Sequence, residues 1–188
     1  MDWRRWNAVW MLAGVAILIA AMGCSSNKND KSLMQDNLPM APDFVFEAYQ
    51  GEDEIGGKEL SLSDVITLGK PIILNFWAAR CPPCQIEMPE FQEYYNKHRK
   101  KVLMIGVDVG YLTGLGLPEE AMALLQALEI SYPTVTTADT GIAEAYELLG
   151  LPGTFFINSS GRIIESWTGL LDKEKLEELA GMLIDSER

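Results

Sequence analysis

The segment PIILNFWAARCPPCQIEMPEF, residues 71–91, limits the possible folds more than any other part of the chain. Residues 71–78 are nearly all apolar, which suits a central strand covered on both faces rather than one with a wet side. Cys81 and Cys84 follow at once, separated by Pro82 and Pro83, and a helix is expected from one of these prolines to Lys100. Pro89 removes a backbone donor within it, which favours a kink. A buried strand feeding a helix through a short cysteine-bearing turn is a layered α/β arrangement.

The flanking sequence carries the same alternation. Residues 43–48, DFVFEA, alternate apolar and polar as an edge strand does, and 52–65 has the form of a hairpin followed by a short helix started at Ser63. A second buried strand is expected over 102–109. In the helix expected over 117–130, Pro118 stands at the first position, acids fill the first turn, and Met122, Leu125 and Glu129 divide two faces. A short strand at 134–137, a helix at 142–149 and the hairpin TFFIN–SSG–RIIESW complete the second half. Asp172 caps a last helix whose Leu176, Leu179 and Leu183 form one stripe.

The ends of the chain speak to compartment. Arg4 and Arg5 precede an uncharged apolar run, 8–22, that ends in small residues before Cys24, the layout of a signal segment. Residues 20–24, AAMGC, resemble a bacterial lipobox, in which the cysteine becomes the lipidated first residue. An uncleaved membrane anchor and a secreted protein cut before Cys24 are the other outcomes, since the run sits between the two length limits. All three carry the domain across a membrane. Residues 1–24 are therefore taken as signal peptide or anchor, 25–40 as a polar tether, and 41–188 as the folded domain. The formal charge of −12 repels phosphate backbones, and the one basic cluster, KHRKK at 97–101, suits a helix end. Nucleic acid is not an expected partner.

The chain has three cysteines, and a lipidated Cys24 leaves Cys81 and Cys84 to each other. Zinc needs about four ligands, and His98 is the single histidine, so no metal site is expected. Haem attachment requires histidine after the second cysteine, where Gln85 stands. A staple across so short a loop removes little unfolded-chain entropy. The pair is best explained as chemistry. At a helix N-terminus, unpaired backbone donors and the dipole favour a thiolate on Cys81, the attacking species. Cys84, one turn later, is placed to resolve a mixed disulfide. Arg80 adds a positive charge beside Cys81 that favours the anion, while Pro82 and Pro83 stiffen the helix entry.

At FWAARCPPCQIEMPEF the chain resembles the extracytoplasmic thioredoxin-like proteins of the TlpA/ResA type. The resemblance extends from APDFVFE at residue 41 through GLPGTFFINSSGRI, 150–163, to the last helix. It implies a thioredoxin fold: a central mixed β-sheet flanked by helices, with an N-terminal β-hairpin extension. It also implies that Cys81 is the nucleophile, Cys84 the resolving thiol and Pro152 a cis-proline beside the disulfide, whose preceding residue, Leu151, meets the substrate. Glu87, three residues after Cys84, falls where the family has a glutamate that relays a proton, a task that Asn75 cannot share with it. Trp77 is expected to pack beneath the loop.

The implied function is that of a tethered reductase of partner-protein disulfides, apocytochrome c among them, reset by a membrane thiol electron donor. No cofactor is expected beyond the Cys81–Cys84 disulfide. Two rival readings are a peroxiredoxin-like peroxidase on the same fold and a copper- or haem-handling chaperone that uses the dithiol as a soft site.

Overall fold

The computed structural model describes residues 37–188; the leader, Cys24 and most of the tether lie outside them. Strands β1 (Val45–Gln50), β2 (Glu59–Ser61), β3 (Ile72–Trp77), β4 (Leu103–Asp108), β5 (Thr134–Thr136), β6 (Gly153–Ile157) and β7 (Ile163–Thr168) form one mixed sheet in the order β2-β1-β5-β4-β3-β6-β7. Helices α1 (Glu52–Ile55), α2 (Leu62–Ile66), α3 (Pro82–His98), α4 (Gly110–Thr113), α5 (Pro118–Ala127), α6 (Ile142–Ala145) and α7 (Lys173–Ser186) connect them. The fold is the expected α/β layering. β3 pairs parallel with β4 and antiparallel with β6, and every residue in β3 and β4 is buried.

Because side chains alternate along a strand, β3 feeds two separate cores. Ile73 and Trp77 face one core with Met88, Phe91 and Tyr95 of α3 and Leu176 and Leu183 of α7. Ile72, Leu74 and Phe76 face the other, with Phe46, Leu62, Val65 and Tyr146. Asn75 has the parity of Ile73 and Trp77, so a polar side chain is delivered beneath α3. That parity positions the site described below.

Several local expectations shift. The strand expected at 43–48 is β1, and it lies inside the sheet, because β2 covers its outer side in antiparallel register. The connection between them is a helical turn, α1, rather than a tight hairpin. The short helix starts at Leu62 instead of Ser63: Ser61 Oγ accepts from the Asp64 N–H at 3.2 Å, and Asp64 Oδ2 accepts from the Ser61 N–H at 2.9 Å. Helix α5 ends at Ala127 and α6 at Ala145, each short of its expected end, with Glu129 and Glu147 in the left-handed region at φ 53° and 49°. Met122 is exposed, and Ala121 with Leu125 forms the inward face of α5. Asp172 caps α7, accepting from the Lys175 N–H at 2.9 Å, and Leu176, Leu179 and Leu183 are buried as expected.

The folded part also begins before residue 41. The Arg162 guanidinium donates to the Leu38 carbonyl at 2.7 Å, and the Ile163 N–H donates to the Pro39 carbonyl at 2.9 Å. The last residues assigned to the tether are therefore fastened to the hairpin of β6 and β7. No described helix is long and apolar enough to cross a membrane.

Candidate active site

Buried β3 ends at Trp77, and the chain turns through Ala78 to Arg80 into α3. Cys81 is the N-cap of that helix and Pro82 and Pro83 its first residues, where a missing N–H costs nothing. Cys81 and Cys84 form a disulfide with Cα atoms 5.3 Å apart, and the Cys84 N–H donates to Cys81 Sγ at 3.3 Å. The turn is closed by the Gln85 side chain, whose Nε2 donates to the Ala79 carbonyl at 2.7 Å. Both cysteines are buried, Cys81 at 4% exposure and Cys84 at 0%. Cys81 thus sits at the mouth of the helix, with a backbone donor aimed at its sulfur.

The inward face of α3 runs Cys84, Glu87, Met88, Phe91. Glu87 is 1% exposed and lies over Asn75. Its Oε1 accepts from Asn75 Nδ2 at 2.8 Å and its Oε2 from the Leu171 N–H at 2.9 Å. The same Asn75 amide donates to Thr154 Oγ1 at 3.0 Å, across the β3–β6 ladder that pairs residues 75 and 154. Burial pushes the Glu87 carboxyl up to about 7, and the two donors hold it back from rising further. Asn75 Oδ1 has no hydrogen-bond partner, so the amide keeps an unused acceptor beside Glu87.

Pro152 is buried and follows a cis peptide bond from Leu151. It precedes β6, whose Gly153 is paired with Phe76, so the cis bond stands at the end of the sheet where β3 hands the chain to the cysteines. The Gly169 N–H donates to the Pro152 carbonyl at 2.8 Å. Residues 169–171 therefore form a strap with one end on the cis-proline and the other on Glu87. Leu151 is half-buried and packs against both cores. Trp77 is fully buried in the core that contains both cysteines.

Arg80 has a partner that the sequence reading did not name. Its Nε and Nη2 donate to Glu120 Oε1 at 3.0 and 2.7 Å, and Glu120 Oε2 accepts from the Leu117 N–H at 2.9 Å. The guanidinium beside it holds the Glu120 carboxyl below its usual range. A cation already paired with a carboxylate exerts only a small net field on Cys81. Arg80 ties the cysteine turn to the start of α5, a partnership whose sequence signal was the acid three residues after Leu117. The sequence reading also missed Asp108, which is buried at the end of β4. It accepts from the Gly110 N–H at 2.8 Å and the Tyr49 hydroxyl at 3.0 Å, and burial raises its pKa.

The AhpC/TSA family model matches residues 39–166. Thiol-disulfide oxidoreductase ResA of Geobacillus kaustophilus is 32% identical over 178 residues, 93% of this chain and 94% of that protein. ResA of Bacillus subtilis is 30% identical over 78% of this chain and 75% of its own. The crystal structure of StoA from Bacillus subtilis, at 24% identity, superposes with a TM-score of 0.58 over 74% of this chain and 97% of that one, a likeness of fold. With its strand, cysteine turn and helix in that fold, the chain belongs to the AhpC/TSA family, as a thiol-disulfide oxidoreductase of the ResA type.

Proposed function

We propose that the chain reduces disulfides of partner proteins outside the cytoplasmic membrane, held to that membrane by its N-terminal segment. The observation that carries the reading is the buried Glu87 on the same helix face as Cys84, hydrogen-bonded to Asn75 and to the strap that reaches the cis-proline.

In the reduced protein the Cys81 thiolate attacks one sulfur of a partner disulfide. The new Cys81–partner bond replaces the partner's S–S bond, and the partner's other sulfur leaves as a thiolate. Glu87 takes the proton from Cys84, whose thiolate attacks Cys81 Sγ and expels the second partner thiolate. The partner gains two electrons, and the chain is left with its Cys81–Cys84 disulfide. A membrane thiol donor returns the two electrons by the same exchange in reverse. Leu151, Pro152 and Trp77 shape the surface and floor around the sulfurs, Pro82 and Pro83 fix the helix entry, and Arg80 holds the turn to α5. Apocytochrome c is one partner class the reading includes, and where this chain's anchor is a lipid, Cys24 is the residue that carries it.

Redox equilibration of the purified chain against glutathione tests the direction. A reductase should equilibrate well below the roughly −180 mV of protein disulfide isomerase. A value near the roughly −120 mV of a strong oxidant would reverse the assignment while leaving the exchange chemistry in place.

A further inference from the structure

Two adjoining cavities, the smaller of them beside the cis-proline loop, play no part in the sulfur chemistry. The larger, about 680 Å³, is walled by Phe46, Tyr111, Leu112 and Pro118 and edged by Glu47, Glu59 and Asp139. The smaller, about 140 Å³, is lined by Leu112, Leu148 and Leu151 among others, room for one aliphatic side chain. The two share Leu112 and Thr140, so they adjoin, and their linings make a path along the surface that ends at Leu151, the residue before Pro152.

The path has an apolar floor and an acidic edge. Tyr111 is 71% exposed and Val45 is 68% exposed, both on the larger cavity, where water-facing apolar surface marks a contact region. The β1–β2 register sets Glu47 directly opposite Glu59, and like charges across a ladder repel. Lys58 pairs with Glu47 at 3.0 Å, leaving three carboxylates on this edge against one lysine. With three carboxylates and one lysine, the edge is net negative and suits a ligand that brings positive charge. The whole chain's charge of −12 draws such a ligand in the same sense.

We propose that this groove seats a cationic, apolar segment of the disulfide-bearing partner protein, with an aliphatic side chain beside Leu151 and lysine or arginine side chains against Glu59 and Asp139. The proposal rests on the reductase reading and specifies the partner's surface. It does not depend on the groove taking part in electron transfer.

The test is binding of two cysteine-free, fluorescein-labelled peptides to the full oxidised chain, followed by anisotropy. Both contain the same leucine and tyrosine residues; one carries lysines and the other glutamates. The lysine peptide should bind about tenfold more tightly at low ionic strength, with the advantage shrinking as salt rises. Glu59→Gln and Tyr111→Ser should each weaken it about threefold, whereas Glu174→Gln on α7, the same change in net charge, should not. Equal binding of the two peptides, or equal weakening by Glu59→Gln and Glu174→Gln, overturns the groove. Selective binding by a chain that fails to reduce insulin keeps the groove and sinks the reductase reading; insulin reduction with equal peptide binding does the reverse.

Discussion

The chemistry of Glu87 is set first by its burial and then by its hydrogen-bond donors, Asn75 among them. A carboxyl between two donors, 1% exposed, still has its pKa pushed up to about 7 because burial outweighs the hydrogen bonds. Asn75 suits both protonation states: its Nδ2 donates to the ionised form, and a half-turn of the amide offers its unpartnered Oδ1 to the protonated one. An aspartate there has no donor to offer. Linkage fixes the sign of the pH effect. Between the unfolded value of 4.5 and about 7, the unfolded carboxyl has lost its proton while the folded one keeps it. Stability from this group is therefore full below pH 4.5 and falls as pH rises to 7, by about 3 kcal/mol in all. Asp108, also raised, adds a loss of the same sign, so the comparison with a variant isolates Glu87. Urea unfolding as a function of pH should show this loss flattened in Glu87→Gln, and the variant's mixed disulfide at pH 7 should resolve about 100-fold more slowly. Asn75→Asp should cost about 3 kcal/mol at pH 8, less at pH 5 where the two carboxyls share a proton, as read from the same urea midpoints.

At the scale of elements, the cysteine turn is held from outside by the loop between α4 and α5. The Arg80 N–H donates to the Leu115 carbonyl at 2.7 Å, and the Arg80 side chain reaches Glu120. Gly116, at φ 148°, lies so close to Ala79 that an added Cβ would stand 2.9 Å from the Ala79 Cβ. Gly116→Ala should therefore cost about 1 to 3 kcal/mol in a thermal melt and displace the loop from the turn. Arg80→Ala tests the opposite expectation about electrostatics. With the guanidinium already paired to Glu120, iodoacetamide alkylation as a function of pH should find the Cys81 midpoint moved by less than about half a unit.

For the whole molecule, the sequence made plain what alternation and spacing encode. The buried runs of β3 and β4, the proline-opened helices and the Asp172 cap each carry a local signal, and the folded chain obeys them. The early ends of α5 and α6 were illegible because glutamates, not glycines, take the left-handed turns at 129 and 147. The place of β1 inside the sheet was hidden because the strand that covers it is three residues long. At the site, cysteine spacing was readable, whereas Thr154 and the Leu171 N–H come from chain segments 67 or more residues beyond Glu87 and bear no local mark. In the proposed mechanism these parts divide the labour: Cys81 takes the partner, and Cys84, on the same helix face as Glu87, lets it go. Incubation of reduced Cys84→Ser with an oxidised protein substrate, followed by non-reducing mass spectrometry, tests that directly. The account predicts a long-lived one-to-one adduct joined through Cys81, and none with Cys81→Ser. An adduct that forms through Cys84 in Cys81→Ser, with none through Cys81, would contradict it.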